Sequence, residues 1–197
     1  MEDRSAFEVL LDYPKSKGLP FETHKNSRRF YVSSNDPILK TKYVLFKEGA
    51  LFFFAYDSFS SKASMNQTFS GIYSISNINK GFECEISKKY WVDFVRRGRK
   101  KTGIKVIDDN LTILSNSDRI IKEFVNKRIA TKLLQLESEI SPLRLIVKKD
   151  YLELIDELKA KSIIGLETNR WIYEREEIES LFENGREIIE ELNNPIE

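Results

Sequence analysis

Thr41 to Tyr56 reads "TKYVLFKEGALFFFAY", and the fold turns on how this stretch is taken. The arms "TKYVLF" and "ALFFFAY" are rich in aromatic and β-branched residues, which favour a pleated, half-buried surface. Glu48-Gly49 between them supplies a turn, so the stretch predicts an antiparallel β-hairpin. The second arm, Ala50 to Tyr56, is the longest apolar run in the chain and far too short to span a bilayer.

Outward from the hairpin, the first half continues as strands. "RRFYVSS" (28–34) reads as a strand before it. "TFSGIYSIS" and "FECEIS" flank "NINKG" and read as a second hairpin, with Phe82, Cys84 and Ile86 alternating against Glu83 and Glu85. The polar "YDSFSSKASMNQ" reads as a loop, and so does "KSKGLPFETHKNS". "SAFEVLLDYP" opens a helix, with Ser5 as N-cap, Glu8 three residues on in a capping box, and Pro14 as its stop.

The second half has a helical texture. "GIKVI" and "LTIL" around Asp108, Asp109 and Asn110 read as a hairpin. One long helix after "SNSD" carries Ile120, Ile121, Phe124, Val125, Ile129, Leu133, Leu134 and Leu136. "LRLIV" is a strand. Asp150 and Glu153 begin a helix over "YLELIDELKAK". "IIGL" and "RWIY" form a hairpin around Glu167-Thr168-Asn169. The last helix buries Ile178, Leu181, Phe182, Ile188, Ile189 and Leu192, and Gly185 on that face marks a close backbone approach. "IDDNLTIL" from Ile107 and "LETNRWIY" from Leu166 share an acidic residue, an Asn two later and an aliphatic three after that. Either a repeated β-hairpin-plus-helix unit or common hairpin chemistry accounts for the match.

The predicted class is α+β: antiparallel, hairpin-rich sheet with amphipathic helices packed on it. A boundary is expected near 98–103, between a strand-rich basic part (1–100) and a helix-rich acidic part (101–197) that share one core or fold apart. Residues 1–110 hold 19 Lys and Arg against 13 Asp and Glu, whereas 111–197 hold 13 against 18. These charges cancel to a net +1, so no global field points to a polyanionic partner. A length of 197 residues with 41% hydrophobic content is enough to bury a sizeable core.

The chemistry-bearing residues are few. Cys84 is the one cysteine, in a strand pattern that points it into a core; a single thiol excludes an internal disulfide and suits a reducing, cytoplasmic setting. His24 is the one histidine, in a polar stretch. With one of each, a structural zinc site is excluded. Phosphate-loop motifs are absent. Glu83 and Glu85 share a strand face near Lys88, which suits either a nuclease-like metal site or an exposed polar face. No cofactor and no catalytic set is expected, and the reading is a binding or scaffold protein with a protein partner.

"YWVDFVRRGRKKTG" (90–103) is the strongest binding motif. Tyr90, Trp91, Phe94 and Val95 fall on one face of a short helix. Arg96 and Arg97 complement its C-terminal dipole, and Gly98 ends it. Arg99, Lys100 and Lys101 are then left for an anionic ligand. Arg96, Arg97, Arg99, Lys100, Lys101 and Trp91 are thus candidates to bind nucleic acid or membrane headgroups, unless the aromatics belong to the core. The hairpin over 41–56 resembles the early hairpin of a pleckstrin-homology domain, and a later helix carrying Trp91 fits that pattern. The resemblance implies the anionic-surface reading. The chain departs from it in strand count and in having no basic concentration in the first loop.

Overall fold

The computed structural model describes residues 5–29, 38–60, 65–78, 81–91 and 98–193. Among these residues a single antiparallel sheet of eight strands carries the fold. One wing is a meander of β1 (Phe21–Arg29), β2 (Ile38–Glu48), β3 (Leu51–Ser60) and β4 (Met65–Ile75). The other wing is β8 (Ser162–Thr168), β7 (Arg144–Lys149), β5 (Cys84–Lys88) and β6 (Leu111–Ser115), in that spatial order. The wings join where β4 pairs β8, with Ile72 opposite Leu166. The basic and acidic parts of the chain therefore share one sheet and one core. The α+β class stands, and the hairpin at 41–56 forms with Glu48 opposite Leu51. An open eight-stranded sheet of this order does not continue the pleckstrin-homology pattern.

Period-two alternation divides the sheet's side chains between two faces. On one face Phe46, Phe53, Ile72, Ile86, Ile113, Leu145 and Leu166 pack against the helices. These are α1 (Ala6–Lys17), α2 (Lys105–Asn110), α3 (Asp118–Phe124), α4 (Lys127–Glu139), α5 (Arg175–Ser180) and α6 (Arg186–Asn193), the last two joined by a π-helical turn over Leu181–Gly185. On the opposite face Phe52, Phe54, Phe69, Tyr73, Ile146 and Ile163 pack against Leu152, Ile155 and Leu158. Gly185 makes the expected close approach: a methyl group there would lie 2.8 Å from Ile72 Cδ1.

Several expectations are corrected. The capping box on α1 forms, yet the helix runs through Pro14 to Lys17 and ends at Gly18. Proline ends a helix by losing a hydrogen bond, but here the buried Leu10 and Tyr13 hold the segment on the sheet. "KSKGLPFETHKNS" is largely β1, so His24 lies in a strand, where it stacks on Tyr43 at 5.3 Å. Its polar composition reflects an edge strand that buries little and is held by its ladder to β2. The two ends of the Ser-rich tract likewise belong to β3 and β4, with Ser58 opposite Gln67, while 61–64 lie outside the described residues. β4 and β5 do not pair; each finds a partner from the second half instead.

Helical spacing misleads in two further places. The expected long helix breaks at Val125, because Asn126 Oδ1 accepts from Ile129 N (2.9 Å) and starts α4 afresh. Residues 151–161 form consecutive turns rather than a helix. Their i→i+3 bonds, Ile155 N to Leu152 O and Leu158 N to Ile155 O, match the three-residue spacing of the apolar anchors. "GIKVI" contributes to α2 rather than to a strand. "RWIY" is not a strand either: Ser70 Oγ donates to Arg170 O (2.6 Å) and accepts from Ile172 N (2.9 Å), replacing a ladder. The segments from Ile107 and Leu166 therefore run helix-to-strand and strand-to-coil, and the two hairpins expected there do not form.

Candidate binding site

The described part of the basic cluster, from Arg99 onward, runs along a sheet edge. Arg96 and Arg97 lie outside the described residues, as do Phe94 and Val95. Arg99 bridges Leu114, and Lys100 N donates to Ile113 O (2.8 Å), so the segment extends the sheet beyond β6. Lys100 Nζ pairs with the exposed Asp118 at 2.6 Å. Lys101 is exposed. Trp91, read as either core or surface, is 83% exposed. Tyr90 is also exposed, and its hydroxyl donates to Glu137 (3.0 Å).

Cys84 is buried, and burial pushes its thiol up to about 12, so it fills space as a protonated core residue. Asp108 ties a turn: it accepts from Thr102 N (2.8 Å), Thr102 Oγ1 (3.0 Å) and Gly103 N (3.1 Å). Partial burial opposes its ionisation, but these bonds outweigh it and hold the carboxyl below its ordinary range. The Glu83–Glu85–Lys88 set does not converge. Lys88 crosses to Glu137 (3.0 Å), whereas Glu85 faces Arg144 (3.8 Å) and Lys148 (3.9 Å). Among the described residues no group of three or more acidic, His or Cys side chains is placed to hold a metal ion.

The sequence offered no reason to join Arg144, Lys148, Tyr151, Tyr73 and Glu167, yet the register does. Glu167 lies between Gly71 on β4 and Arg144 on β7. Its carboxylate is fully buried. It accepts from Tyr73 OH (2.8 Å) and Tyr151 OH (3.0 Å) and pairs with Arg144 Nη2 (2.6 Å). Tyr73 reaches it by lying across Gly165, where a methyl group would meet the ring at 2.3 Å. A charged residue closing the apolar run "IIGL", two positions after a glycine, was the available signal.

Burial first, then the adjacent Glu167 carboxylate, pushes the Tyr73 and Tyr151 phenols above the ordinary tyrosine range; Arg144 pulls the other way. A raised pKa makes the neutral phenol a stabilising group below the unfolded value near 10. That contribution is lost as the unfolded chain ionises on further rise. Stability should therefore fall steeply above about pH 10. Tyr73→Phe, less stable at neutral pH, should show a shallower alkaline fall in urea midpoints; an equal slope would remove Tyr73 from this account.

Tyr151 links this network to an open groove. Its ring faces Phe69 (6.1 Å), which in turn packs on Tyr56 (5.4 Å). The groove, about 240 Å³, is lined also by Gln67, Asp150, Glu153 and Leu154. Leu154 is 62% exposed, and the side chains of Gln67 and Glu153 have no partner among the described residues. A larger cavity of about 590 Å³ lies between α3, α4 and α6. There the polar lining serves the fold: Asn126 caps α4, Glu191 pairs with Arg128 (3.2 Å), and Asn193 bonds Asn77 N (3.1 Å). Among the described residues no helix is long and apolar enough to cross a membrane. Comparison with protein-family models, with curated proteins and with solved structures finds no match to this chain.

Proposed function

We propose that this is a non-catalytic, cytoplasmic binding protein that holds a peptide segment of a protein partner in the Tyr56–Phe69–Tyr151 groove. The observation that carries this is the combination of accessible rings with the unpartnered Gln67 and Glu153 at one place. Partly buried aromatics with a few convergent polar groups are what peptide anchors use. The carboxylates of Asp150 and Glu153 at its rim repel phosphate, which disfavours nucleic acid and anionic lipid there. The buried thiol of Cys84 fits a reducing compartment.

A second reading has one observation in its favour. Trp91 is 83% exposed and Lys101 is exposed as well, as an indole entering a headgroup region and a cation beside it would be. In that reading Trp91, Arg99, Lys100 and Lys101, with Arg96 and Arg97, meet an anionic surface.

Nuclear magnetic resonance titration separates the two. Unstructured peptides of mixed composition, a short single-stranded RNA and phosphatidylserine vesicles would each be added to the full chain. We expect peptides to perturb Tyr56, Phe69 and Tyr151, with RNA and vesicles leaving them unchanged. Perturbation of Trp91 and Lys101 by RNA or vesicles, with no response of the groove to any peptide, would overturn the proposal in favour of the second reading.

A further inference from the structure

We infer that the groove seats a cationic side chain, arginine or lysine, of the bound peptide; this rests on the binding reading and names the chemistry of its ligand. The groove places ring faces and carboxylates around one space. Phe69 is its floor, buried to 7% exposure, and the half-buried Tyr56 and Tyr151 are its walls. Aromatic faces carry the negative lobe of the ring quadrupole and attract cations within about 6 Å of the centroid.

The molecule already uses this attraction on the same sheet face. Lys47 Nζ lies 4.6 Å from the Phe52 centroid, and Lys148 Nζ lies 4.5 Å from that of Tyr151. Among the described residues no cation lies over Tyr56 or Phe69; Phe69 is mostly covered by Phe54, Tyr56 and Tyr151, so the half-buried Tyr56 offers the ring surface that a ligand can reach. Lys148 would repel a second cation, but Glu85 sits 3.9 Å from it. Asp150 and Glu153 stand at the rim. Among the described residues the Asp150 side chain is engaged only by Lys149, at 3.7 Å with both side chains about half exposed, and such a pair is weak in water.

Other occupants fit less well. An acidic side chain would meet Asp150 and Glu153 as like charges. An aliphatic one would cover Gln67 and Glu153 without satisfying either, which disfavours it by desolvation. A guanidinium can stack on a ring face, and an ammonium can sit over one as a point charge; either can donate to both the amide oxygen and the carboxylate.

The test uses two probes, N-acetyl-Gly-Arg-Gly-amide and its citrulline counterpart, which keeps the shape and loses the charge. Aromatic resonances of the full chain report binding. We expect the arginine probe to shift Tyr56, Phe69 and Tyr151 with a Kd in the range of roughly 1–10 mM, and the citrulline probe to bind about tenfold more weakly. Tyr56→Leu, which keeps bulk and removes the ring face, should weaken the arginine probe about tenfold, and Tyr56→Phe about twofold at most. Glu153→Lys, at an exposed position, serves as an independent variant and should also weaken it. Equal binding of the two probes would overturn the inference and leave the binding reading intact. So would silence of both probes where the longer mixed peptides still shift these rings. Silence of probes and peptides alike would overturn both.

Discussion

Replacing Arg144 by methionine should destabilise the protein by about 3 kcal/mol, because it leaves a fully buried carboxylate without its cation. Glu167 would keep only the Tyr73 and Tyr151 hydroxyls. A charge transferred from water needs more than that, and removal of one partner from a buried pair carries the full desolvation penalty of the other. The Arg144 side chain is 34% exposed, so water reaches the pair and holds the value at the low end of the usual range. Glu167→Gln on the same background removes the orphaned charge and should restore at least half of the loss. Urea midpoints for the wild type, both single variants and the double variant give the coupling. Additive losses would show that Arg144 and Glu167 do not stabilise each other. In the single variant the groove should loosen as well, since Tyr151 is oriented through Glu167.

Gly71→Ala should cost about 3 kcal/mol or more, lowering Tm by roughly 6–12 °C in a chain of this size. A methyl group at 71 would lie 2.2 Å from Leu166 O and 2.8 Å from Glu167 Cα. Those are backbone atoms, so no side-chain rotation relieves the clash; β4 and β8 must part where the two wings are joined. Differential scanning calorimetry measures the shift. Gly81→Ala, where open space surrounds the new group but φ is +89°, is the comparison: it carries only the backbone penalty, on the order of 1 kcal/mol. A Tm for Gly71→Ala no lower than that of Gly81→Ala would mean that the ladder has slack at its centre.

The helix-side core was largely legible in the sequence. Phe82, Cys84 and Ile86 are put inside by strand alternation, and Ile178, Leu181, Ile188 and Ile189 by helical spacing. The hairpin at 41–56, the capping box at Ser5 and Glu8, and the close approach at Gly185 were readable for the same reason: each depends on residues near in sequence. β1 was not, since an edge strand buries little and needs no alternation. Residues 151–161 were misread because Leu152, Ile155 and Leu158 at spacing three suit a helix face and a row of turns equally well.

The candidate site was the least legible part. Glu167, Arg144, Tyr73 and Tyr151 come from three strands and a turn segment, separated by up to 94 residues. Only the β4–β8–β7 register places them together. By itself the sequence determined an α+β chain with its apolar faces, its caps and a lone buried thiol, because periodicity and local hydrogen bonding are properties of neighbouring residues. Tertiary structure alone decided which strands pair beyond the 41–56 hairpin, where the charged residues meet and which aromatic rings stay open, because those follow from contacts that no local spacing encodes.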